Sequence, residues 1–128
     1  MHDPPTIDEL LASTGAFLRE VAVPQLSGHA AFHARVAANA LELVRRELAL
    51  RPQAEHAEQA RLRALLGDDG SLEELNQLLC QRISAGDLDL DTPALMEHLW
   101  ATTLAKLAVD QPTYAPYRRE LPTGHSDQ

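Results

Sequence analysis

Apolar residues recur at steps of three and four through most of this 128-residue chain, the period of helices that bury one face. Thr6-Ile7-Asp8-Glu9 is a capping box, in which the Thr6 hydroxyl serves the Glu9 amide and the carboxylate reaches back, so a helix is predicted from Ile7. Ile7, Leu10, Leu11, Phe17, Leu18 and Val21 form its expected buried face, with Asp8, Ser13, Arg19 and Glu20 turned outward. Pro24 lacks an amide and crowds the preceding turn, predicting an end or a kink just before it.

After Ser27-Gly28 the pattern predicts a second helix over about 29–50, closed by Arg51-Pro52. Its apolar arc is wide, with Phe32, Val36, Ala40 and Leu43 on one side and Ala34, Ala37, Leu41, Val44 and Leu48 on the other, as in a helix with neighbours on two sides. Ala30, Ala34 and Ala37 would let another helix approach closely. A third helix is expected over about 54–66, with Gly67 as its C-terminal cap and Asp68-Asp69-Gly70 as a turn. Ser71-Leu72-Glu73-Glu74 repeats the capping box and opens a fourth helix, closed at Gly86.

Asp87-Leu88-Asp89-Leu90-Asp91 alternates like a strand but has no second strand to pair with, and reads as an extended connector. Thr92-Pro93 supplies an N-cap and a first-turn proline for a fifth helix ending near Asp110. Beyond Pro112 the chain is rich in proline and polar residues, with Tyr114 and Tyr117 as its anchors. The expectation is an all-α fold, a compact bundle of about five helices over residues 1–112, with an extended, partly disordered tail over 113–128.

Composition narrows the function classes. Eleven Lys and Arg stand against nineteen Asp and Glu, a formal charge of −8, which disfavours nucleic acid and anionic membrane surfaces as partners. No apolar run approaches the roughly 18 residues of a membrane span. The single cysteine, Cys80, forms no internal disulfide, and the Met-His-Asp-Pro-Pro start lacks the basic and apolar regions of a secretion signal. A cytoplasmic protein is the expectation.

Candidate chemistry centres on polar residues in apolar stripes. Lys106 and Asp110, one turn apart, share the stripe of Leu95, Leu99 and Leu107 with Thr103. They read either as an ion pair at the end of the helix or as a pocket able to hold a carboxylate or phosphate. Asn39 and Glu47 on the second helix and Arg82 on the fourth stand in similar positions, so Asn39, Glu47, Arg82, Lys106 and Asp110 are expected to form one interior network. With His33, Arg35 and Thr103 they make up the candidate ligand-binding set.

His29 and His33 have the one-turn spacing of a metal pair, with His98 and Glu97 as further candidates. The glutamate that follows the first histidine in catalytic zinc helices is replaced by Ala30, so neither metal nor cofactor is expected. Cys80 has nothing near it in sequence to stabilise a thiolate, and there is no Gly-rich phosphate loop, Gly-x-Ser-x-Gly elbow or Cys-x-x-Cys pair. Trp100, at the edge of its stripe, fits core and interface equally well. No catalytic residues are assigned.

The segments Phe32-His33-Ala34-Arg35-Val36-Ala37-Ala38-Asn39-Ala40-Leu41, Leu75-Asn76-Gln77-Leu78-Leu79-Cys80 and Thr102 to Pro112 resemble a bacterial family of small proteins of unknown function. Its members are commonly encoded beside acyl-CoA dehydrogenases and aminoglycoside-phosphotransferase-like kinases. The resemblance implies a setting in acyl-CoA metabolism and a kinase-like or dehydrogenase partner, but no catalytic residues. Two functions are open: a non-enzymatic accessory module, itself a homo-oligomer, or a binder of acyl-CoA or a carboxylate, enzymatic or not, using the Lys/Arg/Asn cluster.

Overall fold

A computed structural model describes residues 3–123, so the last five residues of the expected tail lie outside it. The described residues contain helices, turns and no strand, the all-α class that the periodicity predicts. The chain divides into two compact units, Met1–Leu50 and Arg51–Gln128.

In the first unit, helix α1 (Ile7–Phe17) starts at the predicted box: Thr6 Oγ1 accepts from the Glu9 amide at 3.2 Å, and Glu9 Oε2 accepts from the Thr6 amide at 2.7 Å. The helix does not stop before Pro24. It widens into a π-helical segment, Leu18–Ala22, in which the Val23 amide reaches back to Leu18, and runs on as α2 (Val23–Gln25). A proline ring collides with the carbonyl four residues earlier, and a widened turn just before it absorbs that collision.

Helix α3 (Gly28–Leu66) corrects the expected boundary at Arg51-Pro52, because one helix occupies both predicted segments, with Pro52 inside it. Proline in a helix interior costs about 3 kcal/mol. The flanking residues Leu50, Arg51, Gln53 and Ala54 favour helix, and Arg51 Nε pairs with Glu55 Oε1 at 2.7 Å across the affected turn. The helix contributes its first part to one unit and the remainder to the other.

α1 runs antiparallel to the first part of α3, since Asp8 pairs with Arg45 and Arg19 with Glu42 and Asn39. The seam is made of small residues: Gly15 from α1, and Ala31, Ala34 and Ala38 from α3, all buried. The alanine stripe is therefore displaced from the expected Ala30, Ala34 and Ala37, of which Ala30 and Ala37 are exposed.

The second unit has a leucine core. Leu62 and Leu66 of α3 meet Leu75 and Leu79 of α4 (Leu72–Ser84) and Leu95 of α5 (Pro93–Asp110), with Leu65, Leu72, Leu78 and Leu88 around them. The turns that fold these helices together follow the sequence closely. Gly67 ends α3 at φ 65°, a left-handed conformation that costs glycine nothing, with its amide bonded to the Arg63 carbonyl at 3.0 Å. Ser71 and Glu74 form the second reciprocal box at the start of α4.

Two connector readings are corrected. Residues 87–91 are wound into turns: the Asp89 carboxylate accepts from the Asp91 amide at 2.9 Å and the Asp89 carbonyl from the Thr92 amide at 3.1 Å. The alternating aspartates serve a turn, where Asp side chains compete well for nearby amides. The part of the tail expected to be extended contains a short helix, α6 (Ala115–Glu120), which buries Tyr117. Among the described residues no helix is long and apolar enough to cross a membrane.

Candidate functional site

The first unit turns the expected hydrophobic stripe inside out. The side chains on the α1/α3 seam are small or charged, whereas Ile7, Leu10, Phe17 and Val21 of α1 stay exposed, Ile7 at 67% and Phe17 at 56%. Leu11 and Leu18 are half-buried. On α3, Phe32, Val36, Leu43 and Leu50 share one side and Val44 and Leu48 lie on another, and all six are exposed. Each of these large side chains still shows more than about a third of its surface, far from what full burial would gain, roughly 1.5–3 kcal/mol apiece. The expected central helix with neighbours on two sides has only one neighbour within this unit.

A polar ladder borders the seam. Arg45 grips Asp8 with two bonds, Nε to Oδ1 at 2.7 Å and Nη2 to Oδ2 at 3.0 Å, and also donates to Glu42 at 3.2 Å. Arg19 continues it, 3.8 Å from Glu42 and donating to Asn39 Oδ1 at 2.9 Å. The hydrogen bond from Arg45 holds the Asp8 carboxyl below the ordinary aspartate range, and the same pairing raises the Arg45 guanidinium further. A shallow apolar depression of about 360 Å³ opens beside the Arg45 end, lined by Ile7, Asp8, Arg45, Leu48 and Ala49. A smaller cleft of about 210 Å³ at the other end is lined by Arg19, Val23, Arg35 and Asn39.

The predicted site residues divide accordingly. Arg35 and Asn39 come together at that smaller cleft. His33 is exposed, its ring edge-on to Phe32 at 5.5 Å between centroids, and Glu47 is half-buried on α3. Asn39 and Glu47 belong to the first unit, and Arg82, Thr103, Lys106 and Asp110 to the second. The expected interior network is corrected within the second unit. Lys106 and Asp110 are exposed, and Arg82 donates to the Leu66 carbonyl at 2.9 Å, satisfying one of the carbonyls left over at the end of α3. Thr103 returns its hydroxyl to the Leu99 carbonyl at 2.8 Å within its own helix. Of the stripe that Lys106 shares, Leu95 is buried, Leu107 half-buried and Leu99 exposed. Trp100 is likewise exposed, at 54%.

The polar interior that does exist in the second unit lies around His98, the buried polar residue of α5, at 2% exposure. Burial lowers its pKa first, the nearby Arg61 charge lowers it further, and Glu58 opposes both. Periodicity does not single out Arg61, because an arginine beside a leucine core reads as solvent-facing, and spacing marks His98 only as a metal candidate. Asp8, Arg19, Glu42 and Arg45 were missed for a related reason: a charged residue on a helix is ordinarily placed outward. Their signal was the heptad-like spacing of Asp8, Ala12, Gly15 and Arg19, small residues flanked by charges. Among the described residues no three His, Cys, Asp or Glu side chains are grouped to hold a metal ion.

Fold and site together define an all-helical protein with a leucine-cored unit and an N-terminal helical hairpin whose large apolar side chains face outward. Residues 24–114 match the family described as Domain of unknown function (DUF6285), and the chain belongs to that family. No curated protein and no solved structure is significantly similar to it.

Proposed function

We propose that the protein is a non-enzymatic accessory module that docks onto a partner enzyme through the apolar face of its N-terminal hairpin. The observation that carries this reading is the exposure of Leu10, Phe17, Phe32, Val36, Leu43 and Leu48 on two helices already packed together by other residues. Many large apolar side chains left exposed on one small helical unit mark an interaction surface, and interfaces that form permanently resemble a core cut in half. The charges nearest this face neutralise one another along the ladder from Asp8 to Arg19. The first fifty residues hold six acidic and four basic side chains, so little of the chain's negative charge opposes docking there.

The occupant we assign is the kinase-like enzyme that the family resemblance places beside such proteins, in the setting of acyl-CoA metabolism. The depression lined by Ile7, Leu48 and Ala49 suits an apolar anchor from that partner. Co-expression with the kinase-like enzyme and gel filtration test the reading. A stoichiometric complex is expected, lost in the double variant Phe17→Asp/Phe32→Asp while the circular dichroism of the isolated chain is kept. A wild-type chain that elutes alone in the presence of the kinase-like enzyme, or that only self-associates, overturns it.

A further inference from the structure

Among the described residues two buried side-chain polar atoms have no hydrogen-bond partner, Arg61 Nε and His98 Nδ1. Both side chains line the same cleft of about 190 Å³, completed by Ala64, Leu65, Ala94 and Glu97. Buried polar groups are nearly always satisfied, and a charged donor left unpaired is among the costliest exceptions. That both orphan atoms belong to residues lining one cleft gives them a common explanation. We propose that the cleft binds a small aliphatic carboxylate, with Arg61 as its charged anchor and His98 as a second donor.

The chemistry of the walls selects this ligand. The Nε edge of a guanidinium presents two parallel donors that match a carboxylate, and a neutral imidazole carrying its proton on Nδ1 adds a third. Ala64, Leu65 and Ala94 offer the ligand's carbon chain an apolar surface. Glu97 at the cleft and Glu58 near His98 weigh against a doubly charged phosphate. The guanidinium has freedom to engage: its bond to Thr102 Oγ1 is long, 3.4 Å. In this conformation both orphan atoms are sealed from water, so binding requires Arg61 to turn toward the cleft and uncover them. This site lies in the second unit and is independent of the docking face on the first.

Histidine ring resonances of the full chain, followed by NMR during titration with acetate, butyrate and inorganic phosphate, test the proposal. The His98 signals should shift saturably with carboxylate, with affinity rising about fourfold per added methylene. The bound anion, added to the influence of Arg61, Glu58 and Glu97, should move the His98 titration to higher pH. Exposed His33 serves as the internal control and should not saturate. Arg61→Lys, which keeps the charge but loses the planar fork, should weaken butyrate at least tenfold. Phosphate binding more tightly than butyrate, or His98 responding no more than His33 to any of the three, overturns the assignment using the wild-type chain alone.

Discussion

The two units use apolar side chains in opposite ways. In the second, Leu62, Leu66, Leu75, Leu79 and Leu95 close on one another, and each is at most 5% exposed. In the first, the helices meet through Gly15, Ala31, Ala34 and Ala38 while leucines, valines and phenylalanines remain outside. Small residues let two helix backbones approach closely but bury little apolar area, and the partly exposed ion pairs that border the seam add at most about 1 kcal/mol each, so this unit is held less firmly than the leucine core. The contrast separates two meanings of one sequence signal. A three-four apolar stripe marks a surface that leaves water, and it leaves water inside one chain in the second unit and, on our reading, against another protein in the first.

The contrast can be broken most forcefully at the leucine core. Leu75→Ala removes a side chain that is 1% exposed and should cost about 2–5 kcal/mol in urea unfolding. An effect below about 1 kcal/mol would show that the cluster does not behave as a packed core. At the seam the expected damage comes from enlargement: Ala38, with no exposed surface, leaves no room for Leu, and Ala38→Leu should destabilise by about 1–3 kcal/mol. If it stabilised the chain instead, close approach of α1 and α3 would not be the organising feature of the first unit. Ser71→Ala, which deletes the hydroxyl of the second capping box, should cost about 1 kcal/mol, measured in the same way.

Acid should act on the second unit through His98. Its folded pKa lies below the ordinary 6.5, so the unfolded chain binds the extra proton first. Stability is therefore complete above about pH 6.5 and declines as the pH falls from there toward the folded value. Urea midpoints between pH 7.5 and 5 should show this decline, and His98→Gln should flatten it. The smallest effect is expected where the sequence pattern alone would forecast the largest: Phe32→Ser on the isolated chain should change stability by no more than about 0.5 kcal/mol, because Phe32 is 55% exposed. A loss comparable to that of Leu75→Ala would mean the side chain is buried in solution and the docking face is already covered.

Much of the fold was legible because local chemistry writes it directly. Both capping boxes, the glycine stop at Gly67 and the span Pro93–Asp110 depend on groups within a few residues of one another. Pro52 misled for the converse reason. A single missing amide is a local penalty that a 39-residue helix anchored on either side of it can bear. The candidate site was legible only in part. Arg35 and Asn39 line one cleft, but Lys106 and Asp110 face water, and Arg19, which donates to Asn39, reads from its helical position as turned outward.

Local sequence settles the all-α class, most helix ends and the existence of wide apolar faces, because spacing and capping act over one or two turns, but not the passage of α3 through Pro52 or the helix α6. Only the tertiary structure decided which face each helix buries. That choice depends on how closely two backbones can approach. Gly15, Ala31, Ala34 and Ala38 permit an approach that Phe17 and Phe32 do not, so the small, charge-bordered faces close together and the large apolar ones stay open.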